Sequence, residues 1–172
     1  MRFRKKPWAA EEMATNKAII SEPKEYKGKW REVFENDNPI HIEIGCGKGQ
    51  FISKMSVANP NINYIGIEKE SAVIVAALKK SRLLETGNNL RFFVLDVAEI
   101  LDVFETGEVQ RIYTNFADPW HRKKKWAKRR LTHKNFLRLY EQLFGANGGE
   151  VFMKTSPPFA PKSCSYKRKK FL

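Results

Sequence analysis

Residues 40–49 read Ile-His-Ile-Glu-Ile-Gly-Cys-Gly-Lys-Gly, an apolar strand with an acidic residue near its end and a glycine turn behind it. The acidic residue is Glu43, and Gly45, Gly47 and Gly49 follow at alternate positions. Glycine allows the tight backbone conformations of such a turn and leaves no Cβ between the backbone and a ligand. The stretch therefore predicts a strand, a turn and a helix beneath a nucleoside-containing ligand.

The spacing of the glycines separates this turn from two related ones. A dinucleotide fingerprint needs Gly or Ala at the sixth position from Gly45, where Gln50 stands. A phosphate-binding P-loop needs Ser or Thr after Gly47-Lys48, where Gly49 stands. The pattern resembles motif I of the class I S-adenosylmethionine methyltransferases. That cofactor carries an amino acid, a ribose and a sulfonium cation, groups that carboxylates suit.

Composition restricts the remaining possibilities. The chain has 172 residues, enough for one domain with a real core, and a formal net charge of +13. Such an excess favours a polyanionic partner, above all nucleic acid, although a merely soluble basic protein remains an alternative. Cys46 and Cys164 are too few for a disulfide framework or a zinc site. Without a long apolar run or a signal peptide, we expect a cytoplasmic protein with no membrane span and no metal.

Strands and helices alternate along the chain, which predicts an α/β, three-layer fold with a parallel sheet between helices. The predicted strands are 40–44, 64–67, 90–95, 109–116 and 151–153. The predicted helices are 30–34, 50–58, one capped by Ser71 and one capped by Thr132. Right-handed crossovers place the carboxyl ends of these strands at one edge, where ligands bind.

Four carboxylates lie at the ends of four of these strands: Glu43, Glu68, Asp96 and Asp118. Unpaired like charges in one crevice are costly, so the natural partner is a ligand rich in donors or positive charge. Glu43 would lie near the amino-acid end of the cofactor, Glu68 at the ribose hydroxyls and Asp96 at the adenine amine. Asp118 would face the entering substrate. A helix cap or a solvated strand end remains the alternative for any one of them.

A basic loop follows Asp118. Nine basic residues and no acidic one lie between positions 121 and 138, with Trp120 and Trp126 beside or among them. Cations contact phosphates and aromatic faces stack exposed bases, so the loop is a candidate substrate clamp. A solvated surface is the alternative.

Five motifs together resemble the bacterial tRNA (guanine-N7-)-methyltransferases over about residues 1–155. The motifs are Arg4-x-x-Pro7-Trp8-Ala9, Gly45-x-Gly47-Lys48-Gly49-Gln50-Phe51, Tyr64-Ile65-Gly66-Ile67-Glu68, Asn115-Phe116-x-Asp118-Pro119-Trp120 and Lys128-Arg129-Arg130-Leu131-Thr132. The resemblance implies a Rossmann-like sheet and methyl transfer from S-adenosyl-L-methionine to N7 of the variable-loop guanine, position 46 of tRNA.

The resemblance also implies roles for particular residues. Asp118 would be catalytic. The cofactor would be bound by Glu43, Gly45, Gly47, Gly49, Glu68, Asp96 and Asp118. A tRNA-contacting lysine of the family corresponds to Arg122, and the basic loop adds further candidate tRNA contacts: Lys123, Lys128, Arg129 and Arg130. His121 departs from the family, which has a proline after Asp-Pro-Trp.

The chain departs from the family most clearly after Thr155, where Ser156 replaces an aspartate. We expect a basic N-terminal arm and short helix (1–38), a methyltransferase domain (39–155) and a basic, disordered tail (156–172). The tail is interpreted as a divergent or truncated C-terminus, for example after a frameshift, and a basic RNA-binding tail is the alternative. The last strands of the family sheet would then be missing, and the strand at 151–153 would become an exposed apolar edge.

Several alternatives remain open at this point. The same cofactor site would serve a methyltransferase with another substrate, and the chain could also be a tRNA-binding remnant without turnover. The protein could be a monomer or a homodimer.

Overall fold

The computed structural model describes residues 16–116, 128, 130–154 and 167–171. Its centre is one six-stranded sheet with the order β3-β2-β1-β4-β5-β6. The strands are β1 (Ile40–Ile44), β2 (Asn63–Glu68), β3 (Leu90–Val94), β4 (Val109–Asn115), β5 (Gly149–Lys154) and β6 (Lys167–Phe171). The first five are parallel to one another, which confirms the predicted α/β, Rossmann-like fold.

Five α-helices connect or flank these strands within the described residues. They are α1 (Trp30–Phe34), α2 (Gln50–Ala58), α3 (Ser71–Leu83), α4 (Ile100–Val103) and α5 (Lys134–Phe144). Short 3-10 turns occur at Pro23–Tyr26, Val97–Glu99 and Gly145–Asn147. The bounds of α1 and α2 are those predicted from the sequence.

Each face of the sheet has its own apolar core because side chains alternate along every strand. On one face, Ile42 and Ile112 pack with residues of α1, α4 and α5. On the other face, Tyr64 and Phe92 pack against residues of α2 and α3. The helices therefore cover both faces, as a parallel sheet requires.

The segment before β1 is attached to both the edge and one face of the sheet. Ile19 forms a parallel bridge with Phe92 at the free edge of β3. Trp30 is fully buried, and its Nε1 donates a hydrogen bond to the backbone oxygen of Val103 at 3.0 Å. Its ring stacks on Phe93 and Phe104. These contacts bring Ile19 and Trp30 into the two cores.

Both predicted helix caps are wrong by one residue. Helix α3 begins at Ser71 itself, and Glu70 precedes it in an extended conformation without a side-chain cap. Helix α5 is capped by His133, whose Nδ1 accepts a hydrogen bond from the backbone of Asn135 at 3.3 Å, rather than by Thr132. A neutral imidazole nitrogen can accept a backbone hydrogen bond as a hydroxyl does. The preference for Ser and Thr at this position is therefore only statistical.

The expectation that 156–172 has no regular structure is wrong for Lys167–Phe171. This stretch forms β6, which pairs antiparallel with β5 in the register Met153 to Lys167. Strand β5 is therefore not the exposed edge that we expected. An unpaired strand edge offers a row of backbone donors and acceptors that almost any extended segment can pair with. The lysine-rich composition of β6 gave no sign of this pairing.

Gly66 on β2 is predicted to tolerate no side chain. A Cβ there would lie 2.5 Å from Cδ1 of buried Phe92 and 3.1 Å from Sγ of Cys46. We expect Gly66→Ala to lower the free energy of unfolding, measured in urea, by about 1–3 kcal/mol through overpacking. Gly87→Ala is the matched control, because its nearest atom would be Oδ1 of Asn89 at 3.5 Å. Equal losses in the two variants would contradict this account.

Candidate functional site

The glycine turn between β1 and α2 is held against β2 by its own backbone. The amides of Gly45 and Cys46 both donate to the backbone oxygen of Ile67, at 2.8 and 3.0 Å. Gly45, Gly47 and Gly49 have φ values of +71°, +54° and +67°, a region that residues with a Cβ rarely adopt. The turn therefore depends on its three glycines for its shape.

Two of these glycines are needed for different reasons. A Cβ on Gly49 would lie 2.8 Å from Cβ of Ala77, so this glycine lets α2 approach α3 closely. A Cβ on Gly47 would meet no atom within 4 Å and would project into open space. Gly47 thus presents bare backbone at the carboxyl edge of the sheet, where a ligand can approach it.

Glu43 lies beneath this turn and is only 2% exposed. Its Oε1 accepts a hydrogen bond from Nδ2 of Asn115 at 2.9 Å, while Oε2 has no hydrogen-bond partner in the described residues. Burial raises the pKa of Glu43 to about 7, and the charge of Glu68 adds to this effect. The hydrogen bond from Asn115 opposes it, and so, to a smaller extent, does the backbone N–H of Ile52 in the first turn of α2, which is near the carboxylate but outside hydrogen-bond geometry.

Glu68, at the end of β2, organises the turn from the other side. Its Oε2 accepts the backbone N–H of Gly47 at 3.0 Å, and its Oε1 accepts those of Lys69 and Glu70 at 2.9 and 3.3 Å. A carboxylate offers about four acceptor positions. Three are occupied by backbone donors, so little capacity remains for the two ribose hydroxyls that we assigned to Glu68.

Asp96, after β3, has both of its oxygens engaged. Oδ1 accepts the backbone N–H of Ala98 at 3.1 Å and caps the following 3-10 turn. Oδ2 pairs with Nζ of Lys69 at 2.5 Å, and this hydrogen bond is the main reason that the pKa of Asp96 is lowered. Asp96 therefore acts as a helix cap, which was the alternative interpretation of this residue. The sequence analysis did not predict Lys69 as its partner.

The structure brings three of the four predicted carboxylates together at the ends of β1, β2 and β3. Asp118 lies outside the described residues. Asn115, which the sequence analysis quoted only as part of a motif, joins β4 to Glu43 at the point where the strand connections change direction. Ligands of open α/β sheets bind at such a switch point. The signal for Asn115 was its place at the end of a predicted strand, where only charged residues were considered.

The basic loop is described only in part. Lys128 is exposed and Arg130 is half-buried, with Nε lacking a hydrogen-bond partner in the described residues. The other three predicted tRNA contacts, Arg122, Lys123 and Arg129, lie outside the described residues. Leu131 places its Cδ1 3.6 Å from the position that a Cβ on Gly45 would occupy. The end of the basic loop therefore lies beside the glycine turn.

Helix α5 fixes this end of the loop. The buried hydroxyl of Tyr140 donates a hydrogen bond to the backbone oxygen of Leu131 at 3.2 Å. Burial raises the pKa of this phenol, so it is a hydrogen-bond donor at neutral pH. The packing of α5 on the sheet thus determines where the basic segment meets the glycine turn.

The described residues contain no group of three or more His, Cys, Asp or Glu side chains arranged to hold a metal ion. None of their helices has the length and apolar character needed to cross a membrane.

Comparison with known proteins defines the class first. Residues 37–170 match the family model described as "Putative methyltransferase". Among solved structures, an antibiotic-related methyltransferase superposes with a TM-score of 0.58 at 18% identity, covering 76% of this chain and 64% of its own. The antibiotic-resistance methyltransferase Kmr gives 0.55 at 19% identity, with 81% and 73% covered. The fold and the family match thus define a methyltransferase.

Curated relatives narrow the family. The tRNA (guanine-N(7)-)-methyltransferase of Bacillus subtilis (strain 168) is 54% identical over 156 residues, covering 90% of this chain and 72% of the relative. The protein of the same name from Listeria monocytogenes serovar 1/2a (strain EGD-e) is 52% identical over 156 residues, with the same coverage. The chain belongs to the family of bacterial tRNA (guanine-N(7)-)-methyltransferases.

Two buried groups on β1 are predicted to make opposing contributions to the pH dependence of stability. Folding raises the pKa of Glu43 from 4.5 to about 7. Between these pH values the side chain is ionised in the unfolded chain and still protonated in the folded one, so stability falls as pH rises. The pKa of His41 falls from 6.5 to about 4 through burial and the charge of Arg111. As pH drops from 6.5 to 4, His41 takes up a proton in the unfolded chain before it does so in the folded one, so stability falls.

Each contribution is on the order of 3 kcal/mol, and in the ligand-free wild type the two largely cancel. We expect Glu43→Gln, which leaves His41, to lose stability steeply from pH 6.5 down to 4, and His41→Gln, which leaves Glu43, to lose it from pH 4.5 up to 7. The double variant should be nearly as flat as the wild type. Urea unfolding at several pH values measures all four, and single variants that parallel the wild type would refute the cancellation.

Proposed function

We propose that this protein transfers the methyl group of S-adenosyl-L-methionine to N7 of the variable-loop guanine of tRNA. The observation that carries the proposal is the pair of buried acceptors beneath the glycine turn, in a chain about half identical to tRNA (guanine-N(7)-)-methyltransferases. We also propose that it acts in the cytoplasm, as a monomer or homodimer.

The residues at the turn fit the cofactor. Oε2 of Glu43 and Oδ1 of Asn115 are both buried acceptors without a donor in the described residues. A cationic ligand with N–H donors, such as the ammonium group of the cofactor, would satisfy both and favour the ionised form of Glu43. The bare backbone at Gly47 leaves room for the ligand above the turn. These groups, with Glu68 and Asp96, form the proposed cofactor site.

The charge distribution fits a tRNA substrate. The excess of basic residues is concentrated after Asp118, and Arg130 and Leu131 place the end of that segment beside the proposed cofactor site. Phosphates along an RNA backbone would be held there by Lys and Arg, including Arg122, Lys123, Lys128, Arg129 and Arg130. We propose that these residues hold the RNA while a single base reaches the sheet edge.

The chemistry needs positioning more than acid–base catalysis. When bound, the cofactor supplies a methyl group already activated on a sulfonium sulfur. Guanine N7 has a free lone pair and no proton to remove, so the protein requires no strong base. We propose that Asp118 accepts hydrogen bonds from the Watson–Crick edge of guanine and orients N7. Its negative charge also stabilises the positive charge that the purine gains.

The first test is transfer of labelled methyl groups from S-adenosyl-L-methionine to an unmodified tRNA transcript. The control is the same transcript with its variable-loop guanine changed to adenine. We expect label on the first RNA and none on the second. Equal labelling would show a different target base, and no label on either RNA with folded protein would contradict the proposed activity.

Asp118 is predicted to act on turnover rather than on folding. We expect Asp118→Ala to lower kcat by about 100-fold or more, as loss of an orienting and charge-stabilising group does. Its melting temperature should stay near that of the wild type. Asp102→Ala is the matched control, because this exposed carboxylate on α4 pairs with Lys24 away from the site. An Asp118→Ala enzyme with most of its activity would exclude the catalytic role.

A further inference from the structure

Phe116 combines two features that are unfavourable for folding. Its side chain is 53% exposed, and its backbone φ is +52°, in the left-handed region that costs free energy for any residue with a Cβ. Strained backbone in residues other than glycine is concentrated at functional sites, where the surrounding structure enforces it. Phe116 also lies at the carboxyl end of β4, directly after Asn115.

The other exposed or strained residues of the described chain have simpler explanations. Val57 and Leu83 are exposed, but both lie on ordinary helical backbone in α2 and α3. Glu35 and Glu85 have positive φ, but each directly follows or nearly follows a helix end, where this conformation is common. Within the described residues, only Phe116 presents a large apolar side chain from a strained position.

Strand β5 holds Phe116 in this conformation. Its backbone N–H donates to the backbone oxygen of Lys154 at 2.7 Å, which extends the pairing of β4 and β5 by one residue. Nζ of Lys154 lies 5.1 Å from the centre of the ring, within the range of a cation–π contact. Lys154 thus lies over one face of the ring, and the backbone hydrogen bond holds Phe116 at the sheet edge despite its strained φ.

We propose that the exposed ring of Phe116 is the surface on which the target guanine stacks. This inference rests on the proposed function and deepens it, because it assigns a base-stacking residue within the same site. The ring lies at the end of β4, beside the strand whose Glu43 forms the proposed cofactor site. A base that leaves the RNA stack loses its neighbours, and an aromatic side chain replaces that contact.

The chemistry of the product favours an aromatic surface in particular. Guanine gains a positive charge when N7 is methylated, and the face of an aromatic ring attracts cations. An aliphatic side chain of similar size would cover the base but would lack this attraction. The proposal therefore predicts that an aromatic residue is required at position 116.

The test compares three substitutions that separate stacking from packing. Phe116→Leu removes the aromatic face, Phe116→Tyr keeps it, and Phe116→Gly removes the side chain and relieves the strain. Leu83→Ala is the control for loss of an exposed apolar side chain elsewhere. For each variant we would measure methyl transfer to tRNA, the melting temperature, and quenching of the intrinsic fluorescence of 7-methylguanosine monophosphate by the protein.

We expect Phe116→Leu to lower kcat/KM for tRNA and the affinity for the mononucleotide by about 10- to 100-fold, with Phe116→Tyr and Leu83→Ala near wild type. Phe116→Gly should lose activity equally but melt about 2–4 °C higher, because its backbone is no longer strained. Wild-type activity in Phe116→Leu would overturn the proposal. A lower melting temperature in Phe116→Gly would also overturn it, because the ring would then be a packing contact.

These outcomes are distinct from failure of the proposed function. If the wild type does not methylate tRNA, the proposed function fails, while the mononucleotide and melting measurements still decide whether Phe116 stacks a purine. If the wild type methylates tRNA and Phe116→Leu does so equally well, the function stands and the stacking role is excluded.

Discussion

The hydrogen bond from Asn115 to Glu43 joins the two halves of the sheet at the point where its connections change direction. Strands β1, β2 and β3 continue to one side of this point, and β4, β5 and β6 continue to the other. Burying a carboxylate there is costly, and a single neutral amide compensates for only part of that cost. The fold thus accepts a destabilising group where the two halves meet. A structural role alone would be served better by an apolar pair, whereas a cationic ligand gives the carboxylate a reason to be there.

The same location concentrates conformational strain. The glycine turn after β1 uses three positive φ angles, and β4 ends on a fourth at Phe116. Glycine adopts the first three at little cost in free energy, and it leaves bare backbone that a ligand can approach. Phe116 has a Cβ, so the free-energy cost of its positive φ must be compensated by the rest of the fold. The pairing with Lys154 supplies the local constraint, because it fixes both the backbone and one face of the ring. Backbone hydrogen bonds thus hold the described edge of the sheet on both the β1 side and the β4 side.

The sequence predicted the elements that depend on local pattern and missed those that depend on partners. Apolar strands with acidic ends, and the glycine turn, were sufficient to place β1 to β5 and the carboxylates Glu43, Glu68 and Asp96. The pairing of Asp96 with Lys69 could not be predicted, because it depends on how β2 and β3 align in the folded sheet. Strand β6 could not be predicted either, because a run of lysines has no apolar alternation and its pairing comes from the open edge of β5. The strain at Phe116 is invisible in sequence, since phenylalanine at the end of a strand is ordinary.

The burial and pairing of the carboxylates resolve an apparent conflict in the composition. A protein that binds a polyanion would repel it with exposed acidic groups, yet this chain places three carboxylates at one edge. All three lie on the β1–β3 side, and each is buried or engaged by backbone donors, an amide or Lys69. The end of the basic loop lies beside the glycine turn, and Lys154 of β5 lies next to Phe116 at the end of β4. The carboxylates of this edge are thus covered by donors where an anionic RNA would approach, and basic residues stand beside them. A cationic cofactor at Glu43 and an RNA held by basic residues would meet at the switch between β1 and β4, where methyl transfer would take place.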